Sequence, residues 1–330
     1  MDFICFIASK DDSDRRFDKL ARRLIPAQSL SSIYKLIRKG LIKLNGLSSQ
    51  PSTKVHCGDK IEVAAFLISN EDEPLKKDFP IITSQQDNVV LSDVFKNEFI
   101  RVINKPYDTL VQGNSLKNKV LCNIVLEEYF KEKNEKSLSF RPGPLHRLDK
   151  KTTGILVFSQ NLFGARWFSS CLAEHKIKKT YIALLQGRLD DECIWDEAIL
   201  RKTDNKSKDF FHKSYSSPTG KEALTFVKPL AHGKINNQPI TLAQINIETG
   251  RTHQIRLHGK IHGHPLAGDT AYGAKAIKAN QDFFLHAWKM QFPYPNPINL
   301  PENLTAPLPV YFKNIIEKCL PAFDIKPYNI

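Results

Sequence analysis

Apolar positions recur at helical spacing from Arg15 to Leu24, where Phe17, Leu20 and Leu24 share one face and Pro26 closes the segment. A second helix is predicted directly after it. Ser29 or Ser31 can cap it, Ile33, Leu36 and Ile37 form its apolar stripe, and Gly40 stands where a left-handed terminating residue is wanted. Leu41 to Leu44 then alternates as a strand does, Asn45-Gly46 signals a turn, and Lys60 to Val63 repeats the alternation after Gly58-Asp59. These elements make a small helix–helix–strand–turn–strand unit over residues 13–69. Residues 70–95 are rich in Asp, Glu, Lys and Pro and read as a linker.

From residue 96 onward strands dominate. Phe99 to Asn104, Leu156 to Phe158, Tyr181 to Leu185, Leu224 to Val227 and Leu242 to Ile247 carry strand patterns, and Leu162, Ala165, Phe168 and Leu172 mark a helix. Arg201 to Gly220 is polar and reads as a long hairpin or loop. A further helix is expected from about Thr252 to Gly263, with Leu257 and Ile261 facing inward.

At 330 residues the chain exceeds what one hydrophobic core usually spans, in keeping with two domains. Its 48 Lys and Arg against 35 Asp and Glu leave a net charge of +13, which points to a polyanionic partner. On the second helix that charge gathers at Lys35, Arg38 and Lys39, a face that either lies in solvent or binds RNA phosphates. Six cysteines without a CxxC pair argue against a zinc knuckle or a disulfide framework and suit a reducing, cytoplasmic setting. Asp2 before the apolar Phe3 to Ala8, with no basic residues ahead, reads against a secretory signal. No apolar run approaches ~18 residues, so no membrane partner is expected.

Two segments concentrate chemistry. His146 to Gly154, HRLDKKTTG, packs ionisable side chains into a loop just before an apolar strand, a placement that suits active-site groups. An anonymous aspartate there is more often a cap or an ion-pair partner than a catalyst. The second segment, Gly250 to His258 (GRTHQIRLH), follows a strand and opens a helix whose first amides, beside Arg251, suit a phosphate. His253 and Arg256 lie three apart and share a face. His253, His258, His262 and His264 invite a metal reading, but no HExxH spacing accompanies them and helix packing accounts for them better.

Together these segments resemble the RluA-type pseudouridine synthases, whose hallmarks are HRLDxxTSG, GRTHQIRxH and GHPxxGDxxYG. Here they read HRLDKKTTG, GRTHQIRLH and GHPLAGDTAYG (Gly263 to Gly273), in the same order. RVINKPYDTLVQG (Arg101 to Gly113) is similar to the family's opening strand, and KKTYIAL (Lys178 to Leu184) to its KxYxA strand. SSIYKLIRKGLIKLNG followed by GDKIEV resembles the S-four-type RNA-binding domain. Departures include Tyr107-Asp108 after NKP, Gln112 in place of a His and Thr153 in place of a Ser.

The resemblance implies an α+β fold, with a mixed, mostly antiparallel central sheet, flanking helices and a basic cleft, plus the small N-terminal α/β domain. It implies isomerisation of uridine to pseudouridine, which conserves atoms and needs no cofactor or metal. Asp149 would act as nucleophile or base, Arg256 would pair with it, and Tyr181 would stack on the target base. Arg147 would enter the RNA in place of the flipped base, and Arg251 and His253 would contact RNA beside it. The N-terminal module is especially similar to the branch that modifies large-subunit ribosomal RNA, and a monomer is expected. A transfer-RNA synthase, a non-catalytic ribosome-assembly factor and a histidine-metal hydrolase are the rival readings.

Overall fold

The computed structural model describes residues 1–68, 90–113, 120–132, 137–202, 213–277 and 282–326. The chain divides into two compact units. The first comprises residues 1–88, 114–143 and 159–165, and the second the remainder.

In the first unit, β1 (Phe3–Ile7), α1 (Phe17–Leu24), α2 (Leu30–Arg38), β2 (Ile42–Leu44) and β3 (Lys60–Ala64) follow one another, with α3 (Leu121–Glu132) later in the chain. Both α1 and α2 lie where the apolar spacing puts them. Ser29 caps α2, its hydroxyl accepting from the Ser32 amide at 3.2 Å, and Gly40 takes the expected left-handed φ of 66°. Phe17, Leu20, Leu24, Ile33 and Ile37 are buried together with Ile42, Ile61 and Val63. The sheet order is β1-β3-β2. β1 pairs with β3 in antiparallel register from Phe3↔Ala64 to Ile7↔Lys60, so the packed unit begins well before residue 13.

Asp12 ties this unit together. Its fully buried carboxylate accepts from the Ser9 amide and hydroxyl, the Ser137 hydroxyl, the Leu138 amide, and the Ser139 amide and hydroxyl, at 2.6–3.0 Å. Burial pushes its pKa up, but donors from Ser139, Ser137 and Ser9 overcome that and hold it below 3.8.

The second unit is built on one large, mostly antiparallel sheet. Its strands are β4 (Ser92–Lys96), β5 (Ile100–Lys105), β6 (Thr153–Ser159), β7 (Lys178–Gln186), β8 (Cys193–Trp195), a separate hairpin β9 (Ile199–Lys202) and β10 (Lys213–Ser216), β11 (Thr225–Ile235), β12 (Gln238–Ile247), β13 (Leu285–Gln291) and β14 (Asn303–Thr305). The order is β4-β5-β6-β13-β7-β12-β11-β8, with β14 beside β13; β6 and β13 run parallel. The helices are α4 (Leu162–Ala173), α5 (Gln254–Ile261) and α6 (Val310–Cys319). The α+β class with a mixed, mostly antiparallel sheet is therefore the observed one.

Strand alternation gives the sheet two faces. Tyr181, Ala183 and Leu185 of β7 join Ala243, Ile245 and Ile247 of β12 on one face, where Ile255 of α5 packs. Ile182, Leu184, Ile240 and Leu242 point to the other, which Phe312 and Ile316 of α6 cover. Burying each Leu, Ile or Phe among them contributes roughly 1.5–3 kcal/mol.

Two expectations need correction. The linker reading of 70–95 falls mainly outside the described residues, and its end is wrong in kind, because Ser92–Lys96 pair with β5 as a strand. Of the two readings of the polar stretch 201–220 the hairpin holds: β9 and β10 pair antiparallel, Ser216 opposite Ile199 and Lys213 opposite Lys202, while 203–212 lie outside the described residues. Ile261 does not face inward: as the last residue of the helix it is 40% exposed, whereas Leu257, one turn earlier, stays buried.

Candidate active site

The loop carrying Asp149 is anchored on both sides by buried groups. Before it, the Leu145 amide donates to Val157 O, and the Val157 amide donates to His146 Nε2 at 3.2 Å. An imidazole nitrogen that accepts cannot carry a proton, and burial holds His146 down at about 3, so this histidine is a neutral strut. After the loop, Thr153 Oγ1 meets His286 Nδ1 at 2.8 Å and the other ring nitrogen reaches Ala306 O at 3.0 Å. Gly154, at φ 105°, lies so close to the Ala287 backbone that a Cβ there would overlap the Ala287 carbonyl.

Beneath the loop sits Lys105, at the end of β5 and 1% exposed. Its Nζ donates to the carbonyls of Lys150 at 2.7 Å, Thr152 at 2.9 Å and Pro106 at 3.0 Å. Three acceptors match the three N–H groups of an ammonium. Burial pulls it down to about 7, against the opposing attraction of Asp149 and Asp108.

The second half of the site comes from α5 and the turn before it. Gln254 Nε2 donates to Leu224 O and Thr225 Oγ1, and its Oε1 accepts from the Arg251 amide and the Thr249 hydroxyl. The side chain thus takes an amide that the sequence reading offered to a phosphate, and α5 starts two residues later than expected. His253 precedes the helix with φ 55°.

Arg256 grips Asp269 through Nε at 2.7 Å and Nη2 at 2.9 Å, and its Nη1 lies 3.4 Å from Asp149 Oδ2. The guanidinium is sandwiched between the rings of Tyr272 at 4.7 Å and Phe283 at 4.6 Å. His253 Nε2 approaches Asp149 Oδ1 at 3.7 Å, and its Nδ1 is 2.8 Å from the Tyr272 hydroxyl. Burial lowers His253 below 6.5, with Asp149 pulling the other way.

Asp149 lines a cavity of about 720 Å³ together with Arg147, Arg251, His253 and Arg256. Tyr181 lines a second, smaller cavity that shares Asp149 and Arg256 with the first. The Tyr181 hydroxyl is held protonated, its pKa raised first by burial and then by the nearby Asp149 carboxylate. Arg147 is exposed, and Arg251 donates through Nε to Glu222 O at 2.9 Å.

Six of the nine residues singled out from sequence therefore converge: Asp149, Arg256, Tyr181, Arg147, Arg251 and His253. The other three lie exposed in the first unit, Lys35 and Arg38 on α2 and Lys39 at its C-terminal cap. Lys105, Asp269 and Tyr272 were given no role, although all three stand inside the motifs quoted for the resemblance.

The remaining histidines serve packing. His258 is buried between Thr225 Oγ1 and Glu197 O, His262 stacks on Trp195 and reaches Glu197 Oε1 at 2.8 Å, and His264 meets Gln186 O. Among the described residues no group of three His, Cys, Asp or Glu is placed to hold a metal ion.

A family model described as RNA pseudouridylate synthase matches residues 100–260. The chain is 30% identical over 325 residues to the ribosomal large subunit pseudouridine synthase C of Buchnera aphidicola subsp. Schizaphis graminum, covering 93% of this chain and 95% of that protein. It is also 30% identical over 317 residues to the ribosomal large subunit pseudouridine synthase D of Haemophilus ducreyi, covering 92% and 90%. Among solved structures, human RNA pseudouridylate synthase domain containing 1 superposes with a TM-score of 0.54 at 23% identity, over 72% of this chain and 91% of that one.

Proposed function

The chain belongs to the RNA pseudouridylate synthase family, an isomerase family, and from that premise we propose that it converts specific uridines of large-subunit ribosomal RNA to pseudouridine, with Asp149 as the essential carboxylate. The observation that carries the site assignment is the meeting of Arg256 with Asp149 at 3.4 Å at the wall of a cavity that Tyr181 also lines. The names of relatives aligned over nine-tenths of the chain support the substrate class.

The reaction breaks the bond between uracil N1 and ribose C1′, turns the base and joins C5 to C1′; N1 gains the proton that C5 gives up. An ionised carboxylate serves as nucleophile at C1′ or at uracil C6, or as base toward the ribose 2′ proton. In each case Arg256, a permanent cation, faces that carboxylate through Nη1. The target base must leave its stack, at a cost of a few kcal/mol, and the Tyr181 ring offers a surface to receive it while Arg147 fills its place.

Lys35, Arg38 and Lys39 form the RNA-gripping face of the first unit, which raises the effective concentration of RNA at the cavity. A reducing cytoplasm is the proposed setting, in keeping with six cysteines that form no CxxC pair in the sequence.

The test is to incubate the protein, without added metal or cofactor, with unmodified large-subunit ribosomal RNA and map pseudouridines against Asp149→Ala. Discrete, Asp149-dependent sites are expected. Product on bulk transfer RNA alone replaces the substrate, and product that survives Asp149→Ala overturns the catalytic assignment.

A further inference from the structure

Tyr272 touches both groups that face Asp149. Its ring lies 4.7 Å from the Arg256 guanidinium and 5.7 Å, edge-on, from the His253 ring, and its hydroxyl is 2.8 Å from His253 Nδ1. That hydroxyl also accepts the Ser214 amide at 3.3 Å. Tyr272 is 2% exposed, fixed in a cluster with Leu257, Ile199 and Ala223, so its ring cannot swing to suit its neighbours.

A phenol has one proton to give. With the Ser214 N–H directed at its oxygen, the remaining partner for the O–H among the described residues is His253 Nδ1. The imidazole is neutral at pH 7, since burial holds it below 6.5. If Nδ1 accepts, the single ring proton sits on Nε2, the nitrogen that faces Asp149 Oδ1 at 3.7 Å.

We propose that Tyr272 is the positioning residue of this site: its face fixes Arg256, its hydroxyl fixes His253 as the Nε2–H tautomer, and each oxygen of Asp149 thereby faces one N–H. The 3.7 Å separation is too long for a hydrogen bond, and such contacts commonly shorten when substrate closes the site. The inference deepens the reading of Asp149 as the catalytic carboxylate and rests on it.

The first measurement is the ¹⁵N spectrum of histidine-labelled full-length protein at neutral pH, because ring-nitrogen shifts distinguish the two neutral tautomers. The Nε2–H form is expected for His253, with a mixture in Tyr272→Phe. A protein in which His253 carries its proton on Nδ1 overturns the proposal. Tyr272→Phe keeps the ring over Arg256 and should lower kcat about tenfold with KM unchanged; Tyr272→Leu, which also removes the ring, should lower kcat further. Unchanged kcat in Tyr272→Phe counts against the positioning role.

Two replacements of His253 separate positioning from mere backbone fit. Asparagine tolerates the left-handed φ at this position better than glutamine, so a purely structural role makes His253→Asn the milder change. A glutamine amide instead reaches where Nε2–H lies, so the proposal makes His253→Gln the milder one in kcat. A wild-type protein inactive on every RNA tried defeats the functional reading alone, and the spectrum still decides the tautomer.

Discussion

Arg256 is bound more closely to Asp269 than to Asp149. Its two bonds to Asp269 are 2.7 and 2.9 Å and both partners are almost wholly buried, whereas the contact with Asp149 is 3.4 Å and the Asp149 side chain is 24% exposed. The buried aspartate holds the guanidinium at a fixed angle and leaves the Nη1 end for the carboxylate in the cavity. A planar fork can do both at once; a lysine ammonium is a point charge and cannot.

Arg256→Lys should therefore lose at least 10²-fold in kcat while RNA affinity changes little. Asp269→Asn removes one partner of a buried pair and should destabilise the protein by roughly 3–5 kcal/mol, read as a lower melting temperature. Equal melting curves for wild type and Asp269→Asn would show that the pair does not anchor the site.

Gly154→Ala should be costly for its size. The residue adopts φ 105° and the Ala287 backbone occupies the place of a Cβ. Strain and overlap together should take about 2–4 kcal/mol from stability. Because Gly154 lies five residues past Asp149, the folded fraction should also lose activity. Denaturant titration measures the first effect, and single-turnover modification the second.

Buried histidines should make the protein acid-sensitive well above the carboxylate range. His286 is fully buried and held down at about 4, because burial disfavours its charged form. In the unfolded chain it titrates near 6.5. Between those values the unfolded state binds a proton that the fold excludes, so stability is full above about 6.5 and declines as pH falls toward 4, by up to about 1.4 kcal/mol per pH unit. Denaturation at pH 7, 5.5 and 4.5 should give a shallower slope for His286→Gln than for wild type, even though the variant is less stable at pH 7. Parallel slopes would remove His286 from the explanation.

The exposed cations of α2 should act through salt-dependent binding. Replacing Lys35, Arg38 and Lys39 by Gln should weaken RNA binding and reduce the slope of log K against log salt by up to about 2–3. Activity on a short RNA that only fills the cavity should be unaffected. An unchanged slope would assign that face to solvent.

Local pattern carried the reading furthest where each residue's role is set by its neighbours in sequence. The apolar stripe of α2, its Ser29 cap and the Gly40 terminator are visible in a dozen residues, and all form. Strand alternation in β7 and β12 likewise marks which residues share a face. β1 was missed because its exposed positions blur the alternation, and only pairing with β3 makes it a strand. Asp12 was invisible for a related reason: its partners Ser137 and Ser139 stand more than a hundred residues away.

For the site, the sequence by itself determined which side chains are present: a carboxylate in a basic loop, an arginine and histidine three apart, and a tyrosine in an apolar strand. It also set their order and local spacing, since those depend only on helix and strand periods. The tertiary structure decided what each one touches. That Lys105 lies under the Asp149 loop, that Asp269 is the firmer partner of Arg256, and that Tyr272 bridges Arg256 and His253 all depend on contacts across 13 to 47 residues of chain. Such contacts are selected by packing, hydrogen-bond geometry and the desolvation of buried charge, none of which has a local period to read.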